Sequence, residues 1–384
     1  MRRTRRTRRA LALDRLATWA DGFAIHGGDL DAVARRYGVP RDELVDFSAN
    51  LNPLGPPPAL LEALAAAAAD VRELARYPEP DAATLRRALG AHHGIDPAAI
   101  VVANGAAALI GVAARVAMRA RCLVPQPAFS EDAHALRVAG IALVPMQLDP
   151  ARDFALDVPA FVARLAAGDA DAGIVTTPHN PSGAVLERAS LADLVTRVRH
   201  ADATLVIDEA FVDFVPDATA IDLAAIRPQT IVVRSLTKFF AVPALRVGFA
   251  VCEPSLAGHM RAALPSWPVT TIAMRALAAA LSDDDYARRT RATIATERAT
   301  LLAALRAIGL RVFDASANFL LVDCGARQPV ASLVARLVRE HRIVVRDCTS
   351  YDGLAPDRYL RVAVRNAAEN ARLVAALART TGLT

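Results

Sequence analysis

Three polar residues at the ends of apolar runs carry the chemical interest of this 384-residue chain. Leu205-Val206-Ile207 runs into Asp208-Glu209, and Ile231-Val232-Val233 continues through Arg234-Ser235-Leu236-Thr237 to Lys238. Upstream, Ile174-Val175-Thr176-Thr177 passes into the turn sequence Pro178-His179-Asn180-Pro181-Ser182-Gly183. An acid, a lysine and an amide delivered by three strand ends can converge in one cleft. Such a set suits pyridoxal 5′-phosphate. Its aldehyde needs a lysine amine, its ring nitrogen a carboxylate that keeps it protonated, and its ring oxygen a hydrogen-bond donor. Lys238, Asp208 and Asn180 match these needs in type and placement. Gly105, Ala106 and Ala107 open a helical pattern whose free N–H groups can receive the phosphate. Ser235, Thr237 and Arg246 add hydroxyl and guanidinium contacts, and Phe129, which follows another strand, can stack on the ring.

These residues require a frame that gathers strand ends. Continuous apolar, largely β-branched runs at 100–103, 122–124, 173–176, 205–207, 231–234 and 247–251 predict strands buried on both faces. Helical patterns at 106–119, 131–139, 191–199 and 221–226 alternate with them. Residues 55–265 therefore read as a large α/β domain. Residues 266–384 read as a long linking helix, about 284–308, followed by a small α+β domain. That domain has expected strands at 319–322, 343–345 and 359–364, and helices at 330–340 and 367–380. Residues 24–54 are too few for a domain and are expected to pack at the junction of the two larger parts. Residues 1–23 are expected to form a basic tail, disordered at its start.

Composition narrows the partners. With 54% apolar and 22% charged residues, the chain has material for a sizeable core and is not of the disordered class. The net charge of +5 owes everything to six arginines among the first nine residues; without them it would be −1. No nucleic-acid partner is expected of so neutral a body. The longest apolar runs, such as 63–69, fall well short of the roughly 20 residues of a membrane helix. Asp14, Arg15 and Asp21 interrupt the stretch where the apolar part of an export signal would lie, so a cytoplasmic protein without a membrane partner is expected. Cys122, Cys252, Cys324 and Cys348 show no C-x-x-C spacing and read as free thiols rather than metal ligands.

Arg361, inside the apolar pattern Tyr359-Leu360-Arg361-Val362, is a cation that a core strand does not tolerate unpaired. Arg346 ends Ile343-Val344-Val345 in a similar way, and a guanidinium suits bidentate recognition of carboxylate or phosphate.

The ordered set Asn-Pro-x-Gly, Asp-Glu-Ala, Ser-x-x-Lys and Arg-x-Gly resembles the fold-type I pyridoxal-phosphate enzymes, the aspartate aminotransferase superfamily, over about residues 24–380. That resemblance implies a large mixed, mostly parallel sheet with helices on both faces, a smaller α+β domain, Lys238 as the catalytic residue and a homodimer. Within the superfamily, His26-Gly27-Gly28-Asp29, Asp46-Phe47-Ser48-Ala49-Asn50-Leu51-Asn52-Pro53-Leu54-Gly55 and the loop Arg234–Pro243 are similar to segments of the threonine-phosphate decarboxylases of cobalamin synthesis. Phe211, where aminotransferases usually carry tyrosine, points the same way. The implied reaction is decarboxylation of L-threonine O-3-phosphate to (R)-1-amino-2-propanol O-2-phosphate; the alternative is a histidinol-phosphate type of aminotransferase. By the same resemblance His26, Gly27, Asn50, Asn180, Arg346 and Arg361 line the pocket for a small phosphorylated amino acid. The chain departs from its relatives at Ala106–Ala108, which replace more polar residues, at Asp132, where tyrosine is common, and at His179, where asparagine is typical.

Overall fold

The computed structural model describes residues 27–325 and 329–382; the expected basic tail and His26 lie outside them. Eight strands precede the long helix: β1 (Val45–Asp46), β2 (Ile100–Ala103), β3 (Arg121–Gln126), β4 (Ala142–Gln147), β5 (Ala172–Thr176), β6 (Thr204–Asp208), β7 (Thr230–Ser235) and β8 (Gly248–Val251). Five more follow it: β9 (Arg311–Val312), β10 (Phe319–Asp323), β11 (Ile343–Val344), β12 (Arg346–Asp347) and β13 (Tyr359–Ala363).

β2 to β8 form one seven-stranded sheet in the order β2-β8-β7-β6-β5-β3-β4. β8 runs antiparallel to both neighbours, and the other pairings are parallel. Alternate side chains enter two different cores, as the period of two dictates. Val175, Leu205, Ile207 and Val232 pack with Phe161, Leu191 and Val195 on one face. Ile174, Val206, Ile231 and Val233 pack with Leu109, Ile110 and Leu136 on the other. Helices on both faces explain why these strands are apolar throughout, and the mixed, mostly parallel architecture expected from the sequence is the one observed. β4 was not expected. Its residues are half-buried at best, and it contains Pro145, which lacks a ladder donor and is tolerated because β4 is the outermost strand.

The smaller sheet has the order β12-β13-β10-β9 and is antiparallel throughout. Its register places Arg346 directly opposite Arg361. The helix Asp284–Ala307 links the two sheets: Tyr286 near its start stacks on Phe240, and its far end packs against β9. The N-terminal segment ties them again. β1 pairs in parallel with β11, while Asn52 Nδ2 donates to the Phe239 carbonyl beside Lys238 (3.0 Å). The helix Thr271–Ala280 packs against Pro58–Ala69 and Ala83–His93 on the large-sheet side of this link.

The four cysteines are free, three of them buried. Among the described residues no helix is long and apolar enough to cross a membrane.

Candidate active site

Parallel strands aim their carboxyl ends at one edge of a sheet, and here the chain order reverses between β3 and β5, where such sheets leave a crevice. Asp208 ends β6, Ser235 ends β7, and Lys238 lies in the single turn of helix Leu236–Phe239 just beyond. Asn180 follows β5, Phe129 follows β3, and Gly105 follows β2. Because β8 runs the opposite way, Arg246, just before it, reaches the same edge. These residues, with Ala106, Ala107 and Thr237, line a cavity of about 610 Å³. Gly27 and Asn50 from the N-terminal segment and Arg346 and Arg361 from the small sheet line it too. Every expected site residue among those described faces this one space.

Local bonding fixes the parts. Gly105 has φ +86°, and a Cβ there would stand 3.0 Å from Arg246 Nη2, so glycine lets the guanidinium lie over the start of helix Ala106–Ala117. That helix has no side-chain cap, which leaves first-turn N–H groups for an anion. Gly27 is equally constrained: its Cβ would fall 2.1 Å from the Ser48 carbonyl oxygen. Ser235 Oγ and Thr237 Oγ1 share a hydrogen bond of 2.8 Å. His179 donates from Nε2 to the Pro127 carbonyl (2.8 Å), so its Nδ1 accepts from Ser182 Oγ (2.7 Å). Burial holds this imidazole at about 4, hence neutral, and it braces the Asn180 turn against the end of β3.

The charged groups feel their burial. It pushes the Asp208 carboxyl up to about 6, against the pull of the Ala210 N–H and of Lys238. It brings the Lys238 amine from 10.5 down to about 8, helped by Arg361 and Arg246. Asp132, wholly buried with neither oxygen hydrogen-bonded, is driven well above the carboxylate range by desolvation and then by Asp208. It is not among the residues that line the cavity.

At the small-sheet wall, Arg361 Nη1 donates to Asn180 Oδ1 (2.6 Å) and to Tyr351 Oη (2.9 Å), while Nη2 donates to the Ser48 carbonyl (3.1 Å). Tyr351 Oη donates to the same Asn180 oxygen (3.1 Å). With its oxygen held by two donors, the Asn180 amide keeps its N–H groups for another partner. Arg346 donates to Ser350 Oγ (2.7 Å). Both arginines are buried, and among the described residues neither forms an ion pair with a carboxylate. Tyr351, Ser48 and Asp46 also line the cavity and were missed from the sequence. The signal for Tyr351 was its place in a loop between two strand-borne arginines.

The residues present fit pyridoxal 5′-phosphate. Asn50 Oδ1 and Arg361 Nε, on cavity-lining residues, are buried without partners, and the lysine, acid, amide and uncapped helix start surround one space. The family model for aminotransferase class I and II matches residues 42–377, and the chain belongs to that family of pyridoxal-phosphate enzymes. It is 36% identical to the threonine-phosphate decarboxylase of Salmonella typhimurium, over 92% of this chain and 95% of that protein. It is 30% identical to the histidinol-phosphate aminotransferase of Methanocella arvoryzae, over 93% and 96%. Among solved structures, histidinol-phosphate aminotransferase from Sinorhizobium meliloti in complex with pyridoxal-5′-phosphate superposes with a TM-score of 0.81 at 25% identity, covering 94% of this chain and 96% of that one.

Behind the cavity, Arg234 donates to Glu209 (3.0 Å), Asp213 (3.2 Å) and Thr219 (2.7 Å), and Glu209 also accepts from Thr219 Oγ1 and the Ala220 N–H. This buried pair joins the neighbours of Asp208 and Ser235, so it holds two site-bearing strand ends in step. Arg234→Met should cost about 3–5 kcal/mol in denaturant unfolding, because Glu209 is left buried and unpaired. An unchanged midpoint would show that the pair does not brace the site.

Proposed function

We propose that this protein decarboxylates L-threonine O-3-phosphate to (R)-1-amino-2-propanol O-2-phosphate and CO2, a step of cobalamin biosynthesis. The observation that carries the reading is the Arg346–Arg361 pair. Like charges directly opposite each other on adjacent strands repel, and these two are buried without a carboxylate. An anion with more charge and more acceptors than a carboxylate relieves that best, which favours a phosphorylated substrate.

Bound pyridoxal 5′-phosphate supplies an electron sink for the bond broken at the substrate's α-carbon. Asp208 would hold its ring nitrogen protonated, Asn180 would donate to its ring oxygen, and the start of helix Ala106–Ala117 with Ser235, Thr237 and Arg246 would take its phosphate. Phe129 would lie on its ring. Arg346 and Arg361, with Asn50, Gly27 and His26, would grip the substrate phosphate rather than its carboxylate. The substrate carboxylate would then be left without an arginine to hold it, so that its bond to the α-carbon would be the one served by that electron sink. Lys238, whose amine burial brings down to about 8 and so nearer physiological pH than an ordinary lysine, is suited to carry a proton to that carbon afterwards. Phe211 lines the cavity with no hydroxyl and stacks edge-on against Phe319 (4.9 Å), leaving Asn180 as the side-chain donor to the ring oxygen.

The loaded enzyme given O-phospho-L-threonine should release CO2 and the amino alcohol phosphate in equal amounts. Lys238→Ala should lower this turnover by at least about 10²-fold. Amino transfer to 2-oxoglutarate without CO2 would establish the aminotransferase alternative instead.

We also propose a homodimer. Leu61, Val71, Leu74, Tyr77 and Trp267 are exposed, and the rings of Tyr77 and Trp267 stack at 4.5 Å on this apolar surface, which a second copy would cover. Light scattering should give twice the 40.7 kDa chain mass, and Val71→Asp should shift it toward one chain. A wild-type monomer would refute this.

A further inference from the structure

We infer that Tyr351 is a specificity-determining residue that makes the pocket prefer a phosphate to a carboxylate. The inference rests on the phosphate-gripping role proposed above for the two arginines and adds the residue that enforces it. Tyr351 stands between them. The guanidinium of Arg346 lies over its ring, 5.5 Å from the centroid, while its hydroxyl accepts from Arg361 Nη1 (2.9 Å). An Nη atom carries two hydrogens. One goes to Asn180 Oδ1 (2.6 Å) and the other to Tyr351, so Nη1 has none left for a ligand. Nη2 already gives one of its hydrogens to the Ser48 carbonyl (3.1 Å).

The consequence is geometric. A planar carboxylate is best held by two parallel N–H groups of one guanidinium fork. With Nη1 fully occupied, Arg361 cannot present its Nη1/Nη2 end to such a group, and its other fork pairs the remaining Nη2 hydrogen with Nε, a nitrogen that is itself buried. Arg346, seated on the aromatic face, lines the same cavity. The pair therefore offers donors from two guanidiniums in different directions, an arrangement that matches the tetrahedral spread of phosphate oxygens. The tyrosine contributes separably through its two ends: the hydroxyl occupies Arg361, and the ring supports Arg346.

The test is calorimetric titration of the pyridoxal-phosphate-loaded enzyme with isopropyl phosphate and with isobutyrate, which have no amine and cannot react. Wild type should bind the phosphate more tightly. Tyr351→Phe frees one Nη1 hydrogen but keeps the ring, so the ratio of the two affinities should fall by about tenfold, mostly through tighter isobutyrate binding. Tyr351→Leu also removes the platform under Arg346 and should weaken isopropyl phosphate itself by several-fold. If Tyr351→Leu fails to fold, the isosteric Tyr351→Phe alone decides. A wild-type preference that persists unchanged in Tyr351→Phe overturns the role of Tyr351 while leaving the phosphate reading intact. A wild type with no preference overturns both.

Discussion

Charge taken out of water without a partner organises this molecule. Lys238 and Asp208 at the edge of the large sheet, and Arg346 and Arg361 across the small one, are all desolvated around one cavity. The scaffold tolerates that cost because each group is anchored from behind. Asp208 sits on a strand locked by the Glu209–Arg234 pair, and Arg361 is tied to Asn180, Tyr351 and Ser48. A cofactor and substrate rich in negative charge would supply what the protein leaves uncompensated, and this links stability, binding and chemistry in one arrangement.

The two sheets contribute differently. Parallel strands bring functional groups to a common edge by geometry alone, without any one loop having to be long. The antiparallel sheet sets two arginines side by side by register, since Arg346 and Arg361 are cross-strand partners. The N-terminal segment then closes the ring. Asp46 accepts from the Ser48 N–H and hydroxyl, Ser48 Oγ accepts from the Gly28 N–H, and the Ser48 carbonyl receives Arg361. Residues distant in the chain thus form one wall.

The central strands were legible because burial on both faces demands unbroken apolar runs, and the observed β2 coincides with the expected 100–103. Helix Ile221–Ile226 was legible to the residue, and the long linking helix ended within one residue of expectation. β4 escaped because an edge strand is half-polar and here includes Pro145. The helices Pro58–Ala69 and Thr271–Ala280 were not anticipated: the first is alanine-rich on every side, so it shows no clear amphipathic stripe. Lysine, acid and amide were readable from strand-end position. Tyr351 was not singled out: its place between two strand-borne arginines was the one local hint, and its hydrogen bonds to Asn180 and Arg361 join residues far apart in the chain or on another strand. Asp132 stood out as an odd residue for its place, and the structure shows it buried and outside the lining of the cavity.

The convergence of Lys238 with Asp208 around one cofactor is tested most directly by loading cofactor-free protein with pyridoxal 5′-phosphate from about pH 5 to about pH 10 and following the visible absorbance of the lysine-bound form. The amine reacts only when neutral, so the loading rate should rise with pH and reach half its maximum near the lowered value of about 8. Retention should weaken as the pH falls through about 6, where Asp208 takes up a proton. A loading rate with no half-rise near 8 that still climbs steeply at the top of this range, as the ordinary lysine value of 10.5 requires, or equal loading of the Lys238→Ala protein, would contradict the convergence.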